Sequence, residues 1–126
     1  EYIDAETARI RTRLREMYTK FKGDKEPEPL DNKTVIIIDD GIATGNTLLS
    51  TINMLRKSNP AKIVIAVPVA SESSIEKLST LVDDIVCPLV PETFFGVGAF
   101  YRNFNQVSDA EVMEYMDKFR ELKKAG

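Results

Sequence analysis

The spacing of apolar residues changes several times along the chain, and each change marks an element. Ile3, Ile10, Leu14, Met17, Tyr18 and Phe21 fall on one stripe of a helical period, which predicts a helix over residues 4–22. Arg9, Arg11, Arg13 and Arg15 lie mostly off that stripe and read as a solvated face. Residues 23–33 (GDKEPEPLDNK) are charged and proline-bearing, so they form a loop or linker. Residues 34–38 (TVIII) are β-branched and continuously apolar after Thr34, the pattern of a central strand covered on both faces, as in a parallel sheet. Helical periodicity returns over residues 47–57 and stops at Asn59-Pro60. Residues 62–69 (KIVIAVPV) predict a second buried strand. Residues 71–81 predict a helix with Ser71 as N-cap and Ile75, Leu78 and Leu81 inward, and residues 84–89 a third strand. Residues 91–106 are aromatic, glycine-containing and irregular, with a short strand expected over 97–101. Ser108 opens a last helix, Glu111 completes its capping box, and Val112, Tyr115, Met116 and Phe119 form its inward stripe.

The order helix, strand, helix, strand, helix, strand, loop, helix predicts an α/β fold with right-handed crossovers and a mostly parallel sheet. At 126 residues it fits one domain overall, with residues 1–33 as helix and linker and residues 34–126 as the sheet-bearing part. Ligands of such sheets bind beyond the carboxyl ends of the strands, which is where residues 39–47 fall.

Composition narrows the chemistry. Apolar residues make up 43%, enough for a sizeable core. A net charge of −3 argues against a nucleic-acid surface. With no histidine and one cysteine, a structural zinc site and an internal disulfide framework are excluded. Cys87, in an apolar run, reads as a small core residue in a reducing compartment. No apolar run approaches the roughly 20 residues of a membrane span, and the N-terminal ten residues have no signal-peptide pattern, so a cytoplasmic location is expected. The chain begins at Glu1 rather than Met, which reads as a processed or truncated product.

The chemistry concentrates in residues 35–47, VIIIDDGIATGNT. Four apolar residues drive a strand into the core, so the chain leaves it in a fixed direction. Asp39 and Asp40 follow at once, and neighbours at a strand end diverge, which lets them grip different hydroxyls. Gly41 and Gly45 allow unusual backbone angles and close approach of a ligand. Thr44, Asn46 and Thr47 open a helix, whose free N–H groups and dipole make an anion site. Acids beside a phosphate cradle imply a sugar phosphate. No lysine follows Gly45, so this is no P-loop, and GxGxxG is not present. An ordinary strand-to-helix turn, with Asp40 or Thr44 as N-cap, is the bland reading of any short part of it.

VIIIDDGIATGNT resembles the phosphoribosyl-pyrophosphate (PRPP) signature of type I phosphoribosyltransferases, and the whole looks similar to uncharacterised bacterial phosphoribosyltransferase-like proteins. The resemblance implies a three-layer, Rossmann-like sheet. It implies that Asp39 and Asp40 hold the ribose hydroxyls of PRPP and are the catalytic pair, and that Ala43, Thr44, Gly45, Asn46 and Thr47 hold the 5′-phosphate. Mg²⁺ would accompany PRPP as cofactor, with no certain protein ligand. Residues 90–95 (VPETFF) resemble the segment that lies over the base in purine-type members, with Phe94 or Phe95 as the stacking ring; hood packing is the competing reading.

There are departures. Ala43 stands where hypoxanthine-guanine members carry an aspartate; adenine- and uracil-type members tend to have alanine. The family carries about three strands and a pyrophosphate loop ahead of the signature, whereas the residues before Thr34 read as helix and linker. The N-terminal strands and that loop are therefore expected to be missing from this chain. The function implied is transfer of a phosphoribosyl group from PRPP to a nitrogenous base in nucleotide metabolism, releasing pyrophosphate. The alternatives are a non-catalytic PRPP- or nucleotide-binding regulatory domain, or an interaction domain with a vestigial loop. The expected partners are small molecules, not nucleic acid or membrane, with a homodimer left open.

Overall fold

The computed structural model describes residues 1–23 and 26–126. Asp24 and Lys25, in the expected linker, and the side chain of Phe21, in the expected helical stripe, lie outside the described residues. In chain order the elements are α1 (Tyr2–Lys22), β1 (Thr34–Ile38), α2 (Asn46–Arg56), β2 (Lys62–Ala66), α3 (Glu72–Ser79), β3 (Asp84–Val86), a 3-10 turn (Val97–Phe100) and α4 (Asp109–Ala125). They fall into two compact units, residues 28–104 and residues 1–27 with 105–126.

Residues 28–104 form an open parallel α/β unit with strand order β1-β2-β3. β1 pairs with β2 from Thr34↔Lys62 to Ile38↔Ala66, and β2 with β3 from Val64↔Asp84 to Ala66↔Val86. The core sits between the sheet and its helices. Ile63 and Ile65 of β2, Leu48 and Ile52 of α2, and Leu78 of α3 are buried together with Ile42, Val67 and Ala70. Each fully buried isoleucine or leucine contributes about 2 kcal/mol of transfer free energy. Asp83 ties the start of this layer down: its carboxylate accepts the Ile63 N–H at 2.7 Å and pairs with Arg56. Those contacts, the amide first, hold its carboxyl below the usual range.

The sheet is covered on one face only within this unit. Val35 and Ile37 are half-buried, but Ile36 is 57% and Ile38 78% exposed, which corrects the expectation of a strand covered on both faces. The reason is topological. Each crossover steps the same way along the sheet with the same hand, so α2 and α3 fall on the same side.

Two strands are shorter than their apolar runs: β2 stops short of residue 69, and β3 ends at Val86 rather than at residue 89. β2 ends at Ala66 because Pro68 has no N–H to donate, and pairing resumes as single bridges, Val69↔Leu89 and Ile42↔Ala70. Helix α2 ends as expected before Asn59, which takes a left-handed φ of 50° ahead of Pro60. Ser71 caps α3 by accepting the Ser74 N–H.

The second unit is α1 with α4. Lys20 donates to Asp109 at 2.9 Å. The arginines of α1 are solvated, as their pattern implies, with Arg9 paired to Glu6. Ser108 and Glu111 form the expected capping box, which holds the Glu111 carboxyl below its ordinary range. Val112 and Met116 are half-buried, but Tyr115 and Phe119 are exposed, so only half of the expected α4 stripe is covered. Among the described residues no helix is long and apolar enough to cross a membrane.

Candidate functional site

The carboxyl end of β1 delivers the chain to a cavity of about 240 Å³ lined by Asp39, residues 41–48 and Val97. Two hydrogen bonds fix the loop beside it. The Ile42 N–H donates to Val69 O at 3.0 Å, and Ile42 O accepts the Ser71 N–H at 3.1 Å. With its side chain buried as well, Ile42 anchors the loop immediately after the two acids.

The next two carbonyls are also held from behind. Ala43 O accepts the hydroxyls of Ser71 at 2.7 Å and Ser74 at 2.5 Å. Thr44 O accepts Lys77 Nζ at 3.2 Å, and Lys77 also donates to Asn46 Oδ1 at 2.7 Å. In a trans peptide the C=O and the N–H of the next residue point opposite ways. Fastening the Ala43 and Thr44 carbonyls to α3 therefore turns the N–H groups of Thr44 and Gly45 away from it. Among the described residues the amides of Ala43, Thr44, Gly45, Thr47 and Leu48 have no hydrogen-bond partner in the protein. Those of Thr47 and Leu48 are orphan donors of the helix start, and those of Ala43, Thr44 and Gly45 belong to the turn that enters it.

Gly45 is required by shape. It caps α2 with φ 76° in the left-handed region, and an added Cβ would stand 3.3 Å from Leu78 Cδ1. Gly41 is required by contact: a Cβ there would lie 2.8 Å from both methyls of Val97.

Asp39 and Asp40 are both exposed and neither enters an ion pair among the described residues. The Asp40 N–H donates to Asp39 Oδ1 at 2.9 Å. Partial desolvation, followed by the charge and hydrogen bonding of Asp39 beside it, pushes the Asp40 carboxyl above the usual aspartate range. Only Asp39 lines the cavity.

Over the acids lies the segment of residues 91–104. Tyr101 donates its hydroxyl to Asp40 O at 2.5 Å, and its ring packs on Phe104 at 5.0 Å. Residues 97–100 form a 3-10 turn, not the expected strand, because Ala99 and Tyr101 donate back to Gly96 and Gly98; the Phe104 ring lies where a Cβ on Gly98 would fall. Phe94 stacks on Phe100 with centroids 5.4 Å apart, whereas Phe95 is 84% exposed; neither lines the cavity.

Thus Asp39, Ala43, Thr44, Gly45, Asn46 and Thr47 share one cavity wall, and Asp40 stands beside them. The sequence pattern alone missed Ser74, Lys77, Val97 and Tyr101. Ser71, Ser74 and Lys77 do recur at three-residue steps, a polar row on one face of α3, which is the signal that could have found them.

A model of the phosphoribosyl transferase domain matches residues 6–104. A Mycobacterium tuberculosis (strain H37Rv) protein described as a "putative phosphoribosyl transferase" is 34% identical over 125 residues, 98% of this chain and 28% of that protein. The chain thus spans a little over a quarter of the length of that relative. The uracil phosphoribosyltransferase of Mycoplasma genitalium is 42% identical over 57 residues, 45% of this chain and 28% of that one. The crystal structure of TT1426 from Thermus thermophilus is similar with a TM-score of 0.77 and 31% identity, covering 91% of this chain and 55% of that one. This chain belongs to the phosphoribosyl transferase domain family.

Proposed function

We propose that the site binds PRPP and serves transfer of its 5-phosphoribosyl group to a nitrogen of a base. The bond from C1 to the pyrophosphate oxygen breaks, a bond from C1 to nitrogen forms, pyrophosphate leaves, and the base loses a proton. The observation that carries this reading is the cradle: free amides beside a cavity whose rim holds a carboxylate. In this reading Thr44, Gly45, Asn46, Thr47 and the Ala43 amide hold the 5′-phosphate, while Asp39 and Asp40 accept hydrogen bonds from the ribose hydroxyls. Their charge also favours the positive character that develops at C1, so the chain contributes by positioning and electrostatics. One further comparison supports the ribose-phosphate end of this reading. The ribose-phosphate pyrophosphokinase of Pyrococcus furiosus is 40% identical over 55 residues, 42% of this chain and 20% of that one. What its name shares with the uracil enzyme's is the ribose phosphate, not the base.

Mg²⁺ belongs to the same proposal. Among the described residues no group of three or more metal-binding side chains gathers. Two adjacent carboxylates suit an ion held mainly by substrate oxygens and water, beside Asp39 and Asp40, rather than a protein cage. Bound with pyrophosphate, the ion would offset the charge of the leaving group.

A binding-only role is the second reading, and one observation favours it. Among the described residues Asp39 is the only ionisable side chain lining the cavity, so these residues supply no separate base for the acceptor's proton. The test is pyrophosphate release from PRPP and Mg²⁺ with a panel of bases that includes uracil. Turnover with any of them supports transfer. Saturable PRPP binding without turnover supports the regulatory role, and absence of both contradicts the proposal.

A further inference from the structure

Residues lining the cavity include one acid and no base, and Asp40 adds a second negative charge beside it. A phosphate placed there meets only neutral donors as attraction, backbone N–H groups and the hydroxyls of Thr44 and Thr47. A balancing charge stands behind the loop. Lys77, one turn after Ser74 on α3, points its ammonium at the reverse side of the cradle, 2.7 Å from Asn46 Oδ1 and 3.2 Å from Thr44 O. Among the described residues it pairs with no carboxylate, so its charge is not already neutralised.

We infer that Lys77 is a positioning cation of the anion site, acting through the loop rather than on the ligand. Two effects act in the same direction. By holding Thr44 O and the Asn46 side chain, Lys77 keeps the Gly45 N–H turned to the cavity. By placing an unpaired positive charge behind those dipoles, it offsets Asp39 and Asp40 and makes the loop attractive to a phosphate dianion. The hydroxyls of Ser71 and Ser74 hold the neighbouring Ala43 O, and with it the Thr44 N–H, without charge; what the lysine adds beyond such holding is electrostatic. This inference rests on the phosphate-binding reading above.

The experiment measures ribose 5-phosphate affinity calorimetrically for the full chain and its Lys77→Gln and Lys77→Arg variants, at ionic strengths of about 0.01 M and about 1 M. Melting temperatures are followed alongside. Glutamine keeps a donor and removes the charge; arginine keeps the charge. We expect Lys77→Gln to lose about three- to tenfold in affinity at low ionic strength, with the gap closing at high ionic strength, and Lys77→Arg to stay within about twofold of the parent. A merely structural lysine would lower the melting temperature and give a loss independent of salt. That result, or undiminished affinity in Lys77→Gln, overturns the inference while leaving the phosphate site standing. If the parent chain itself fails to bind ribose 5-phosphate, the phosphate-binding reading falls, and the lysine's role with it.

Discussion

The loop after β1 and the segment that overlies it solve the problem of holding a position in opposite ways. Residues 41–48 are fixed through their backbone. Ile42 is bonded on both sides, Ala43 and Thr44 are fastened to α3 by their carbonyls, and Gly45 and Leu48 are buried. Residues 91–104 are fixed through side chains: one tyrosine hydroxyl on Asp40 O, two ring pairs, and the methyls of Val97 pressed on Gly41. A backbone-held loop offers the same amides whatever side chains it carries, which suits the unvarying phosphate. A side-chain-held cover can change with sequence, which suits the part of a ligand that varies. Under the proposed function, the invariant half of recognition falls to the cradle and the selective half to the cover.

The largest effect expected from breaking this division is at the acids. Replacing both Asp39 and Asp40 by asparagine should weaken PRPP binding by about 100-fold, since turning each charge-assisted hydrogen bond into a neutral one costs about 1–1.5 kcal/mol. Inorganic phosphate, which needs only the cradle, should bind no worse. Equal losses for both ligands in a titration would contradict the division of labour.

Next comes Gly41→Ala. Its new methyl would fall 2.8 Å from Val97, so either the cover lifts or the loop shifts. We expect a cost of about 1–3 kcal/mol in denaturant unfolding, the range for overpacking, with phosphate affinity falling less than PRPP affinity.

The pH dependence follows from Asp40. Desolvation and its neighbour Asp39 raise its carboxyl, so as pH falls it is protonated before an ordinary aspartate. PRPP affinity should therefore begin to fall above the usual range of about 4. The stability effect has the opposite sign: a raised carboxyl favours the folded state at low pH, and that contribution is lost as pH rises through its folded value. Asp40→Asn should accordingly melt slightly higher than the parent at neutral pH, with the gap vanishing in acid. A variant that melts lower at neutral pH would show that Asp40 is held by favourable contacts instead.

Tyr101→Phe should have the smallest effect. It removes one hydrogen bond, worth about 1 kcal/mol, between cover and acid tip. Phosphate affinity should be unchanged, and hydrogen exchange over residues 97–104 should quicken. Unchanged exchange there would mean that packing alone holds the cover.

The same contrast explains what could be read from the sequence. The cradle was legible because its determinants are contiguous: an apolar strand, two acids, two glycines and a helix start. The order of helices and strands was legible for a similar reason, since period and caps such as Ser71 and the Ser108–Glu111 box are local. What escaped depended on the third dimension. The uncovered face carrying Ile36 and Ile38 follows from the hand of two crossovers, and a continuous apolar run gives no hint of it. The 3-10 turn over residues 97–100 closes through the bonds from Ala99 to Gly96 and from Tyr101 to Gly98, where β-branched and aromatic content suggested a strand. Lys77 supports the loop from 31 positions beyond Asn46, so no short motif contains it.

The claim on which the rest stands is that the outward amides of this loop clasp a phosphate. Titrating the isotope-labelled chain with ribose 5-phosphate and following its backbone amides tests it most directly. Saturable shifts centred on Ala43, Thr44, Gly45, Thr47 and Leu48, absent with ribose alone, are the expected result. Saturable binding that leaves those five amides unmoved would contradict the claim.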